Sequence, residues 1–181
     1  MAFYHSLVLK HQHHLKWPAL DPLEALLMAL SCICILGFTA SVFFDVLTRE
    51  LHAPWLWLQE VTTGFFAYGV FIGMALATRR NDHMYLSEIV ARFQGRSRLS
   101  IEVFGRIVVL VVALCMIGFG YQNFLTDLGS FRMPSLIPLG YYTIIIPISG
   151  ALIALFTVEQ LVNGMKNGFA ALETAPEVGD E

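Results

Sequence analysis

The chain alternates between long apolar stretches and short polar ones. Four stretches lack Asp, Glu, Lys and Arg altogether: residues 25–44, 61–78, 107–126 and 133–158. About 20 helical residues cross a hydrocarbon core of about 30 Å, and backbone groups in lipid must pair within the protein. The pattern therefore predicts an all-α integral membrane protein with four transmembrane helices. The predicted spans are about 23–45, 57–78, 104–126 and 136–159, within a membrane domain of residues 23–162.

The composition agrees with a membrane protein. Of the 181 residues, 56% are hydrophobic and 14% are charged, whereas soluble domains carry about 25% charged residues. Residues 1–22 are polar and precede an apolar run of span length that lacks a small-residue cleavage site. We interpret them as a retained cytoplasmic N-terminal segment and not as a signal peptide.

The loop between the second and third spans has a helical pattern of its own. Leu86, Ile89, Val90 and Phe93 are spaced i, i+3, i+4 and i+7, which predicts an amphipathic helix at about 84–94. Beside a membrane, such a helix lies in the interface plane. Packing against a partner protein is compatible with the same spacing.

Positive charges divide unevenly between the two sides of the predicted bundle. Nine of the 11 Lys and Arg residues lie in the N-terminal segment, the loop between spans two and three, or the C-terminal segment. The other two loops contain only Arg49 and Arg132. Because positive residues concentrate on the cytoplasmic side, we expect both termini and the middle loop in the cytoplasm. The acidic tail, residues 163–181, is predicted to be disordered.

Small residues and a proline suggest where the spans pack and bend. Gly69, Gly73 and Ala77 are spaced i, i+4 and i+8 on span two, and small residues at this spacing let two helices approach closely. The approaching helix can belong to this chain or to another subunit. Pro147 is expected to kink span four near its middle, as a static bend or as a hinge.

Charged residues mark both ends of span two. Glu60 opens the helix, where the helix dipole favours an acid, and Arg49 on the same loop is a candidate ion-pair partner for it. Arg79 and Arg80 close the helix, and we interpret them as anchors at anionic lipid headgroups. His83 follows them and is interpreted as a structural or solvated residue.

The predicted spans lack the residue types that membrane-embedded chemistry requires. All six histidines lie outside the charge-free stretches, so the spans offer no axial ligands for haem. Ionisable groups lie at span ends, whereas coupled carriers usually place one near mid-membrane. No nucleophile or metal motif is present in the sequence. We therefore predict no catalytic, cofactor or metal site, no nucleic-acid partner, and a supporting role in a larger assembly.

The order of these features resembles the small membrane subunit, the DctQ-like small permease, of tripartite ATP-independent periplasmic (TRAP) transporters. The resemblance covers roughly residues 23–162. The matching positions, from the arginine after span one to the later proline of span four, are Arg49, Trp57, Glu60, Gly73, Ala75, Ala77, Arg79, Arg80, His83, Pro134, Pro138, Tyr141, Tyr142 and Pro147. One departure is Gly140, which follows Pro138, whereas the family often has a glycine before its second proline.

The resemblance implies a role that the residues alone do not specify. A small subunit of this kind forms a heterodimer with a large membrane transport subunit in the bacterial inner membrane, in contact with membrane lipid. It needs no cofactor. It serves as a fixed scaffold during sodium-coupled uptake, or symport, of an organic acid or acidic sugar. A periplasmic substrate-binding protein delivers that substrate. It is expected to contact the two short loops on the side opposite the cytoplasm, which contain Arg49 and Arg132.

Three other functions fit parts of the same pattern. The membrane anchor subunit of a respiratory oxidoreductase has a similar size and number of spans, although the absence of histidines from the spans argues against a haem-binding form. The small subunit of the tripartite tricarboxylate carriers would have a similar supporting role. A stand-alone small carrier would need its own substrate or ion site, and no candidate site is visible.

Overall fold

The computed structural model describes residues 17–80, 96–132 and 135–167, and most of them are helical. A short 3₁₀ turn at Pro18–Leu20 leads into the first helix. The helices are α1 (Asp21–Glu50), α2 (Trp57–Arg80), α3 (Arg96–Asp127), α4 (Gly140–Thr143) and α5 (Ile145–Asn167). Between α3 and α4, the two-residue strands β1 (Phe131–Arg132) and β2 (Ile137–Pro138) pair antiparallel.

Within the described residues, four helical stretches are long and apolar enough to cross a membrane, which confirms the predicted four-span fold. They are Asp21–Glu50, Trp57–Arg80, Val103–Asp127 and Gly140–Lys166. The predicted amphipathic helix at 84–94 and His83 lie outside the described residues. The fourth span is longer than expected, since α5 continues to Asn167 and includes the first residues of the segment predicted to be a disordered tail.

The spans lie in the order α1, α2, α5, α3, because α1 packs on α2, α2 packs on α5 and α5 packs on α3. The α4–α5 span is the central one. In its most apolar 18-residue segment, 44% is buried, against 17% in the corresponding segment of each of the other three spans. The outer helices expose large apolar side chains, such as Leu36 on α1 (70% exposed) and Phe104 on α3 (68%). Such surfaces suit contact with lipid or with another membrane subunit.

Glycines set the closest approaches between neighbouring helices. A Cβ atom at Gly37 of α1 would lie 2.6 Å from the ring of Phe65 on α2. A Cβ atom at Gly150 of α5 would lie 3.0 Å from the carbonyl oxygen of Ala113 on α3. The buried apolar core comprises Leu27, Cys34, Ile72, Ala75, Ala113, Ile145, Ile153 and Phe156.

The fourth span is interrupted earlier than the sequence predicts. Pro147 is the third residue of α5, and the break between α4 and α5 lies at Ile144, near the start of the span. Proline has no N–H to donate to the carbonyl of Thr143, four residues earlier, and its ring crowds that carbonyl. The disturbance therefore falls one turn before Pro147. The interruption expected from this proline is present, but it lies near the start of the span and not at its middle.

Candidate functional sites at the two ends of the bundle

The start of α1 and the ends of α2 and α5 meet at one end of the bundle, where polar side chains are buried. This arrangement follows from the packing, since α1 runs antiparallel to α2 and α2 runs parallel to α5. We call this group of residues the polar cluster. It comprises Trp17, Asp21, Glu24, Thr78, Arg79, Arg80, Glu159, Gln160 and Asn163.

Arg79 lies at the centre of the polar cluster, and its side chain is 0% exposed. One guanidinium nitrogen, Nη1, donates to the carbonyl oxygen of Leu20. The other, Nη2, donates to Asp21 Oδ1 at 2.9 Å and to the carbonyl oxygen of Trp17 at 3.3 Å. A single side chain from α2 thus satisfies backbone and carboxylate oxygens at the entry to α1.

Two fully buried carboxylates flank the third nitrogen of the same guanidinium. Arg79 Nε lies 3.5 Å from Glu24 Oε2 and 3.7 Å from Glu159 Oε2. The ring of Phe156 covers the guanidinium at 5.4 Å from Cζ, within the range of a cation–π interaction. Opposite charges that are removed from water together stabilise one another, whereas removing one partner leaves a costly buried charge.

A second layer of hydrogen bonds joins α5 to the same region. Gln160 Nε2 donates to the carbonyl oxygen of Thr78 at 2.6 Å and approaches that of Arg79 at 3.4 Å. These carbonyls belong to the last described turn of α2, so the amide links α5 directly to the backbone of α2. The backbone N–H of Trp17 donates to Glu159 Oε1 at 2.5 Å, and its indole N–H donates to Asn163 Oδ1 at 2.8 Å.

The polar cluster corrects one interpretation of the sequence. Arg79 does not face lipid headgroups but is enclosed by acids, backbone carbonyls and an aromatic ring. Arg80 is also largely covered, at 14% exposed, and its Nε lies 3.2 Å from Glu24 Oε1. Sequence reasoning missed the partners Glu24, Glu159 and Asn163. These partners could have been inferred from their positions along the spans. Successive spans run in opposite directions, which places these residues at the same end of the bundle as the two arginines.

A different carboxylate links two elements at the opposite end of the bundle, away from the polar cluster. Glu60, in the first turn of α2, is only 4% exposed. It accepts a hydrogen bond from the hydroxyl of Ser135 and lies 3.5 Å from the backbone nitrogen of the same residue. Arg49 instead pairs with Asp45 at 2.9 Å, one turn away on α1. The hypothesis of a Glu60–Arg49 pair is therefore wrong, and Glu60 joins α2 to the β1–β2 hairpin.

Exposed aromatic residues surround this far end. The rings of Trp55 and Trp57 stack with centroids 5.9 Å apart and an interplanar angle of 17°. Tyr141 is exposed on α4, and its carbonyl oxygen accepts a hydrogen bond of 2.6 Å from the hydroxyl of Tyr68 on α2. Pro138 ends β2 two residues before α4 begins. Tryptophan and tyrosine favour the membrane–water boundary, so this end fits a membrane interface.

The small residues of α2 divide between two environments. A Cβ atom at Gly69 would lie 3.3 Å from the Cβ of Cys34, so this position faces α1. A Cβ atom at Gly73 would have no neighbour within 4 Å among the described residues, and Ala77 is partly exposed. Gly69 therefore serves packing within the chain, whereas Gly73 leaves an open notch on the described surface of α2.

Buried hydroxyl groups in the described spans bond within their own helices. Ser41 donates to the carbonyl of Gly37 at 2.7 Å, and Ser149 donates to that of Ile146 at 2.9 Å. Thr157 donates to the carbonyl of its own helix at 2.7 Å. This geometry satisfies the hydroxyls locally and suits packing residues. The arrangement at both ends of the bundle can fix helices relative to one another.

Comparisons with known proteins identify a family. The family model described as "Tripartite ATP-independent periplasmic transporters, DctQ component" matches residues 38–167. The small permease protein SiaQ of a sialic acid TRAP transporter from Vibrio cholerae is 27% identical over 117 residues, which are 64% of this chain and 67% of that protein. The sialic acid TRAP permease protein SiaT from Haemophilus influenzae is 24% identical over 106 residues, which are 58% of this chain but only 17% of that protein.

Proposed function

The chain belongs to the DctQ component family of the TRAP transporters, and we propose that it is the small membrane subunit of such a transporter, acting as a fixed scaffold. The family places it among transporter components in the membrane, in agreement with its four apolar helices. The polar cluster is the observation that best supports the scaffold role. It ties three helix ends together through a buried arginine, and such a network favours one arrangement of the helices over several.

The proposed partner is a large membrane transport subunit, with which the chain forms a heterodimer. The Haemophilus relative supports this proposal, because the matched region is about a sixth of a much longer permease protein. A region similar to this chain is therefore covalently joined there to additional permease sequence. The proposed heterodimer is a non-covalent counterpart of this arrangement.

We propose that the open face of α2 receives a helix of the large subunit. Six residues share this face, spaced alternately by four and three positions along the helix. None of them is buried. They are Gln59, Thr63, Phe66, Val70, Gly73 and Ala77. Small and polar residues support helix association in lipid. Phe66 and Val70 on this face are exposed and apolar, as are the large side chains on the outward faces of α1 and α3.

Co-purification of the two subunits from their own membranes tests the scaffold and its interface together. A tagged chain is expected to bring down a larger, very hydrophobic partner in a fixed ratio. Gly73→Leu should reduce the recovered partner, because a large side chain would fill the notch. Ala40→Leu, on the exposed outer face of α1, is the matched control and should not. Equal recovery with both variants would rule out this face, and a soluble redox partner would rule out the transporter role.

The proposed transport reaction is sodium-coupled uptake of an organic acid or acidic sugar delivered by a periplasmic binding protein. Both relatives are named as components of sialic acid TRAP transporters, which supports an acidic substrate class. Proteoliposomes that contain both subunits should accumulate substrate only with the binding protein and an inward sodium gradient. Uptake with a proton gradient alone, or without the binding protein, would contradict this mechanism.

We further propose that the chain lies in the bacterial inner membrane with both termini in the cytoplasm. The uneven distribution of Lys and Arg supports this orientation. The far-side loops that contain Arg49 and Arg132 would then meet the binding protein, with Glu60 shaping the hairpin. Reporter fusions at each terminus test the orientation. Normal uptake after replacement of all three residues would exclude the proposed contact with the binding protein.

A further inference from the structure

Arg79 is the residue through which three separate helix ends contact one another. It belongs to α2, donates to oxygens of Trp17, Leu20 and Asp21 at the entry to α1, and lies beside Glu159 of α5. Its side chain has no exposed surface. From α2, the guanidinium thus contacts both the entry to α1 and a carboxylate of α5 directly.

These contacts depend on the shape of the side chain as well as on its charge. A guanidinium presents five N–H donors in a rigid plane, whereas the ammonium of lysine is a compact point charge. At Arg79, Nη1 and Nη2 donate hydrogen bonds at the entry to α1, whereas Nε makes no hydrogen bond among the described residues but lies within ion-pair distance of Glu24 and Glu159. The Cζ atom of the group also lies 5.4 Å from the centroid of the Phe156 ring. A lysine would keep the charge but could not reproduce this set of directions.

We propose that Arg79 is a positioning residue whose guanidinium geometry, and not its charge alone, holds the ends of α1, α2 and α5 together and thereby supports transport by the assembled complex. This inference rests on the proposed function for its transport consequence, but its structural part concerns the chain alone. A scaffold resists the motion of its partner only if its own helices keep their relative positions. Loosening this end should therefore slow the transport step and leave substrate capture unchanged.

Spin labels test the structural part on the full-length chain in lipid nanodiscs. One label is placed at Leu26 near the start of α1 and one at Met165 near the end of α5, two exposed positions. Cys32, Cys34 and Cys115 are replaced by alanine beforehand. Pulsed electron paramagnetic resonance then gives the distribution of label distances. We expect a narrow distribution for the parent, broader ones for Arg79→Gln and Arg79→Lys, and no change for the control Lys166→Gln.

Uptake by the assembled transporter tests the functional part with the same variants. The maximal rate should fall severalfold for Arg79→Gln and Arg79→Lys, with an unchanged half-saturating concentration of the binding protein. Lys166→Gln should behave as the parent does. A narrow distribution and normal uptake for Arg79→Lys would overturn the requirement for a guanidinium, because charge alone would then suffice. If the Arg79 variants broaden the distance distribution but the parent complex shows no uptake, the structural inference holds and the proposed function is rejected.

A milder variant keeps the test decisive if Arg79→Gln does not fold. Glu159→Gln retains an acceptor for the backbone N–H of Trp17 but removes the negative charge beside Arg79. It should broaden the distance distribution and lower the maximal rate less than the arginine variants. Unchanged distances and uptake for Glu159→Gln would contradict the proposal, since the link from Arg79 to α5 would then have no effect.

Discussion

Gln160 Nε2 lies 2.6 Å from the carbonyl oxygen of Thr78, so the side chain of one helix caps the end of its parallel neighbour across 82 residues of sequence. Buried polar groups are costly unless they are hydrogen-bonded. This bond satisfies the Gln160 amide and holds α2 and α5 in a fixed axial register. The polar cluster lies around this contact.

Replacing Gln160 with leucine should destabilise the isolated chain. The substitution removes a buried hydrogen bond between α5 and α2, which contributes about 0.5–1.5 kcal/mol. Thermal unfolding in detergent measures the loss. Gln122→Leu, at an exposed position on α3, is the matched control and should leave the midpoint nearly unchanged. Similar midpoints for both variants would show that the Gln160 amide contributes no specific stabilisation.

Replacing Ser135 with alanine should loosen the β1–β2 hairpin. The carboxylate of Glu60 would remain buried without its hydroxyl donor, which destabilises this contact by about 1–3 kcal/mol. Hydrogen exchange at the Leu139 amide, which donates to the carbonyl of Ser130 at 2.8 Å, reports the opening of the hairpin. Ser130→Ala keeps that backbone bond and serves as the control. Equal exchange rates in the two variants would indicate that Glu60 does not hold the hairpin.

Replacing Gly37 with alanine should separate α1 from α2. The new Cβ would lie 2.6 Å from the ring of Phe65, and overpacking of this kind costs about 1–3 kcal/mol. Gly73→Ala, where a Cβ meets nothing within 4 Å, should not destabilise the isolated chain. Thermal unfolding distinguishes the two substitutions. A second change, Phe65→Leu, should recover part of the lost stability, and failure to do so would place the strain elsewhere.

Replacing Asn163 with leucine should release the indole of Trp17. The side-chain oxygen of Asn163 accepts its N–H at 2.8 Å, and leucine offers no acceptor. In a background that carries Trp55→Phe and Trp57→Phe, the fluorescence of Trp17 should become more accessible to iodide. The quenching constant measures this change. Leu161→Ala, at a partly buried neighbouring position, is the control, and equal quenching in both variants would refute a specific role for the amide.

The number and approximate positions of the spans were determined by the sequence alone. Hydropathy sums over consecutive residues, so uncharged stretches such as 61–78 identify a membrane helix without knowledge of its neighbours. The same reasoning located charged residues at span ends, where Glu60 and Arg79 are found. Gly69 was recognised as a packing position because helical spacing is also a local property.

The tertiary structure decided which of these residues meet. Arg79 is enclosed by Glu24 and Glu159, and Glu60 bonds to Ser135 instead of Arg49. These partners depend on the order and rotation of the helices. In lipid, hydropathy does not specify either property, because the surroundings are as apolar as the side chains and association depends on detailed packing and interhelical hydrogen bonds.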